Sequence, residues 1–67
     1  MNDNVIAIFA LVNGPMPKGF CRWDSVKTKA FKRTVEMARK AARKVEMGRA
    51  EDSSIKGELY ALQSFWI

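Results

Sequence analysis

From Asp24 to Gly48 the chain is dominated by alanine, lysine, arginine, glutamate and methionine, all strong helix formers, and this stretch predicts one long helix. Asp24 and Ser25 are both competent N-caps. Gly48 suits the far end, and Arg43 and Lys44 suit its negative pole. Phe31, Val35, Ala38, Ala42 and Val45 recur at spacings of four, three, four and three, which puts them on one stripe, the expected buried face. At about 1.5 Å per residue, Asp24 to Gly48 would run about 37 Å. That is long for 67 residues, so one end is expected to project or to pack on another molecule.

A chain of this size forms one domain over residues 1–67, and its core alone supplies only about 3–5 kcal/mol net. Small domains commonly add disulfides, a metal or an oligomeric interface. Cys21 is the single cysteine and there is no histidine, so an internal disulfide and a structural zinc site are both excluded. No metal or other cofactor is expected. An interface remains, and a homodimer is the expectation. A lone thiol fits the reducing cytoplasm. No stretch approaches the 18 apolar residues of a membrane span, so no membrane partner is expected. The apolar run near the N-terminus lacks the positively charged leader of a signal peptide.

That run, Val5 to Val12, carries four β-branched residues and an aromatic and closes on Asn13-Gly14-Pro15. It is read as a strand, with apolar residues on both faces that each need cover. Asn13 to Gly19 is a loop rich in glycine and proline. Phe20 to Trp23 is read as a short second strand returning as a hairpin. Glu51 to Ser54 is read as an acidic linker. Ile55 to Ile67 admits two readings. As a helix it places Ile55, Leu59, Leu62 and Trp66 on one face with Ser54 as N-cap. Its aromatic content favours a strand. The expected architecture is therefore α+β: a small sheet, made of the N-terminal strand, the hairpin return and the C-terminal strand, packed on one long basic helix. An all-α C-terminal half is the alternative.

Catalysis finds little support. Without histidine, neither a Cys–His nor a Ser–His pair exists. Cys21 has Arg22 beside it, yet a lone cysteine reads first as a small hydrophobe. Most carboxylates have plainer roles: Asp24 caps, and Glu36 lies four residues from both Lys32 and Lys40, the spacing of helix ion pairs. Asn13 to Gly19 lacks the phosphate-loop pattern. No catalytic residue is assigned, and the chain is read as a non-enzyme.

Charge is the strongest functional signal. From Asp24 to Arg49 nine basic residues face three acids, whereas the whole chain carries +5; the positive charge is concentrated in the long helix. Lys29, Lys32, Arg33, Arg39, Lys40, Arg43 and Lys44 form one basic face behind the apolar stripe. Such a face neutralises nucleic-acid phosphates, meets an acidic protein surface, or merely keeps a small protein dissolved. Met37 and Met47 interrupt it, which solvation alone does not require, and Trp66 ends the C-terminal segment; these three are candidate interface anchors. Trp23, Tyr60 and Phe65 are read first as core residues. The leading expectation is a non-enzymatic module that binds nucleic acid through the helix. The runner-up is a small inhibitor or adaptor of the phage-accessory kind that docks on an acidic surface of a larger protein complex.

Overall fold

A computed structural model describes residues 2–66, and every regular element among them is helical. The three α-helices are α1 (Asp3–Asn13), α2 (Ser25–Glu46) and α3 (Lys56–Gln63). Short 3₁₀ turns at Phe20–Arg22, Asp52–Ile55 and Ser64–Trp66 link or extend them. The expected α+β fold is thus corrected: no strand or sheet occurs among the described residues.

The long helix forms where its local signals place it. Asp24 is the cap, its carboxylate Oδ1 accepting the Lys27 N–H at 2.7 Å while its carbonyl accepts the Thr28 hydroxyl at 2.8 Å. At the other end Gly48 takes φ 76°, a left-handed conformation that costs a Cβ-bearing residue dearly. The Gly48 N–H then donates to the Val45 carbonyl at 3.0 Å and the Arg49 N–H to the Lys44 carbonyl at 2.8 Å, the paired bonds of a Schellman closure. The 22 residues between run about 33 Å at 1.5 Å each, close to the molecule's longest dimension of 38 Å.

Val5 to Val12 lies wholly inside α1, against the predicted strand. A run that is apolar on every side carries no periodicity to separate helix from strand. As a strand it would need a hydrogen-bonding neighbour along its edges, whereas a helix satisfies its backbone internally. In α1, Val5 and Ile8 are buried and Phe9, Leu11 and Val12 pack against the core from the sides. One chain therefore covers most of this segment, and the argument for a homodimer from two open strand faces no longer applies.

The hairpin return is also absent. Gly19, at φ 78°, turns the chain into a single 3₁₀ turn, with the Phe20 N–H bonded to the Pro17 carbonyl and the Arg22 N–H to the Gly19 carbonyl. The C-terminal strand is replaced by α3 and its flanking turns, the helical form weighed as the alternative. Its stripe is used as that form requires: Ile55 and Leu62 are buried, and Leu59 and Trp66 pack beside them. Ser54 does not cap α3; its hydroxyl donates to the Glu51 carbonyl at 2.6 Å, within the preceding 3₁₀ turn. Ile67 lies outside the described residues.

α1 and α3 both pack on α2 and against each other. Phe31, Ala38, Ala42 and Val45 supply α2's share of the core, with Ala38 and Ala42 fully enclosed. Small residues at those two points let the neighbouring helices approach closely. At the Phe31 end, Phe20, Trp23, Phe65 and Trp66 gather round that ring with centroids 5.2 to 5.7 Å from it, in tilted and edge-on geometries favoured by aromatic quadrupoles.

Candidate nucleic-acid interface

Because α1 and α3 occupy one side of α2, its other side is left to solvent. Lys29, Lys32, Arg33, Arg39, Lys40, Arg43 and Lys44 are all exposed there. At 3.6 residues per turn Lys29 and Lys40 stand about 180° from the buried Ala38, with Arg33 and Lys44 to one side of them and Lys32, Arg39 and Arg43 to the other. The face from Lys29 to Lys44 is about 22 Å long at the helical rise. All seven predicted residues are thus brought together on one surface of one rigid element. Glu36 is exposed in the middle of that surface.

Lys27 sits apart from this group. Its Nζ lies 4.3 Å from the centroid of the Trp23 ring, a cation–π contact that ties the start of α2 to the aromatic cluster.

The three predicted anchors divide. Met37 on α2 and Met47 just beyond its end are 57% and 67% exposed, available to a partner. Trp66 is occupied within the fold: its ring lies 5.5 Å from Phe31 and its Nε1–H donates to the Pro15 carbonyl at 3.3 Å. That bond fastens the C-terminal turn to the loop after α1. Val26, outside the predicted set, is 75% exposed, and Tyr60, read from the sequence as a core residue, is instead 79% exposed. Cys21 is exposed, and no cluster of potential metal ligands occurs among the described residues. Among them, too, no helix is long and apolar enough to cross a membrane.

Shallow concavities border the basic face on both sides. On one flank Val26, Lys29, Ala30, Arg33, Thr34 and Met37 line about 430 Å³. On the other, Met16, Phe20, Phe31 and Val35 form an apolar hollow of about 330 Å³, with Lys32, Glu36 and Arg39 at its edge. This second hollow was not legible in sequence, because Met16 and Phe20 reach α2 only through the path of the loop between α1 and α2. No known protein family, characterised protein or solved structure matches the chain; its own residues carry the functional argument.

Proposed function

We propose that this chain is a non-enzymatic module that binds nucleic acid through the solvent face of α2. The observation that carries the reading is the exposure of seven cations along about 22 Å of one helix. Several nucleic-acid phosphates fit within that distance, since duplex DNA presents one charge per about 1.7 Å of axis. Binding is driven by release of condensed counterions, so it depends on the number of phosphates neutralised more than on sequence. A helix whose back is bare of other elements is also the shape that a major groove about 12 Å wide admits. The free thiol of Cys21 suits a reducing compartment such as the cytoplasm.

The test is fluorescence anisotropy with labelled duplex DNA, single-stranded DNA and RNA across a salt series, comparing wild type with Lys32→Glu/Lys40→Glu. Tight, strongly salt-dependent binding that disappears in the double variant is expected. Weak binding to all three nucleic acids would remove the reading.

One observation favours the second reading, an inhibitor or adaptor docking on an acidic protein surface. Val26 and Met37 are exposed at the two ends of the larger concavity, which Lys29 and Arg33 also line, and apolar anchors beside cations suit a protein contact. On that reading Met37→Asp abolishes partner binding, while nucleic acids bind weakly to wild type and variant alike.

A further inference from the structure

The hollow bounded by Met16, Phe20, Phe31 and Val35 opens at the margin of the basic face. Its floor is apolar and partly aromatic. Phe20 is half-buried, held at a 5.1 Å centroid distance from Trp23 and 5.7 Å from Phe31, so its ring is fixed in place before any ligand arrives. Met16 is 55% exposed and its flexible thioether can adapt to a flat ligand. Lys32 and Arg39 stand on α2 seven residues apart, about 10 Å along the helix, with Glu36 between them. This plus–minus–plus order repels a phosphate from the middle of the edge and holds phosphates at its two ends. The ligand that fits has a flat, uncharged, stackable part flanked by negative charges. That is an unpaired nucleotide within a strand.

We propose that the hollow over Phe20 is a stacking site for one unpaired base, with the adjoining phosphates on Lys32 and Arg39, so that the module prefers single-stranded nucleic acid to duplex. The proposal rests on the nucleic-acid reading of α2 and narrows it. In a duplex the base faces are stacked on one another, and only the phosphates are open to the cations; a single strand offers both. Stacking on an aromatic ring tolerates any base, since every base has a π-face, so the preference is for strandedness and not for sequence.

The experiment compares a labelled single-stranded 20-mer with a duplex of the same length at one salt concentration, by anisotropy and by tryptophan fluorescence. It uses wild type, Phe20→Leu and Met16→Ala, each checked for an unchanged helical circular-dichroism spectrum. Leucine at position 20 keeps an apolar filler in the cluster and removes only the π-face; Met16, being largely exposed, can be cut back without loss of fold. The expected result is tighter single-strand than duplex binding in wild type, quenching of tryptophan fluorescence by the single strand through Trp23 beside Phe20, and a single-strand affinity roughly tenfold weaker in Phe20→Leu with duplex affinity unchanged. Met16→Ala should weaken the single strand in the same direction. Equal affinity for both forms, untouched by Phe20→Leu but lost in Lys32→Glu/Lys40→Glu, overturns the stacking site and leaves the basic-face reading standing. No binding to either form overturns both.

Discussion

Asn4 donates two hydrogen bonds to Asp52, one from its backbone and one from its side chain. The Asp52 carboxylate accepts the Asn4 backbone N–H at 3.1 Å, and the Asp52 carbonyl accepts the Asn4 side-chain amide N–H at 3.0 Å. The second carboxylate oxygen takes the Val5 N–H at 3.2 Å. The residue before α1, Asn2, makes no side-chain cap, so Asp52 serves the first turn of α1 from 48 residues away in sequence. An anion at the positive pole of a helix is favourable, and here it also fixes where the segment before α3 sits against α1.

Replacing Asp52 by alanine should therefore destabilise the fold by about 1–2 kcal/mol, the range for lost N-caps. In a domain of this size each kcal/mol lowers the melting temperature by about 4–8 °C. The neighbouring Glu51 side chain is exposed, and Glu51→Ala should stay within about 0.5 kcal/mol of wild type. Thermal denaturation followed by circular dichroism decides the matter; equal melting temperatures for the two variants would show that the cap carries no stability.

Ala38 is fully enclosed where α1 and α3 meet α2. Ala38→Leu inserts a side chain where no space exists and is expected to cost about 1–3 kcal/mol through displaced helices. The same change at Ala30, which is exposed on the same helix, should be close to neutral. Chemical denaturation of the two proteins measures the difference directly.

The glycines separate in the same manner. Gly48 closes α2 at φ 76°, so Gly48→Ala should destabilise by about 1 kcal/mol although nothing lies within 4 Å of its added Cβ. Gly57 sits inside α3 with equally open space and no positive φ, and Gly57→Ala should stabilise by about 0.5 kcal/mol through reduced freedom of the unfolded chain. Opposite signs in paired urea titrations are the expected outcome.

Salt dependence counts the phosphates. If four are neutralised on duplex DNA, the slope of log affinity against log salt is about −3.6, and about −2.8 on a single strand. Arg39→Ala or Arg43→Ala should each reduce the duplex slope by about 0.9. A slope near zero would mean that the cations make no phosphate contacts.

How much of this was readable in the sequence follows from the reach of each signal. Most of α2 was legible: its start at Asp24 or Ser25, its end at Gly48, its basic back and a buried stripe of which Val35 alone is only half-buried. Every one of those features rests on residues within a few positions of each other, which the helical repeat brings together whatever the remainder of the chain does. The basic face was legible for the same reason, and all seven of its cations stand where the helical repeat puts them. Val5 to Val12 was not, because an apolar run without periodicity is compatible with either backbone geometry. Its form depends on whether a strand partner or a helix surface is available, and here the surface is α2. Ile55 to Trp66 presented both patterns at once, and packing of Ile55 and Leu62 against α2 and α1 selected the helical one. Asp52, read as part of a linker, has a role that exists only once the segment before α3 lies beside the start of α1. The hollow at Phe20 likewise exists only because the loop after α1 folds back onto α2. Local spacing and charge thus determined the long helix and its two faces, while chain-distant contacts, whose partners lie some fifteen to fifty residues apart, decided everything that packs against it.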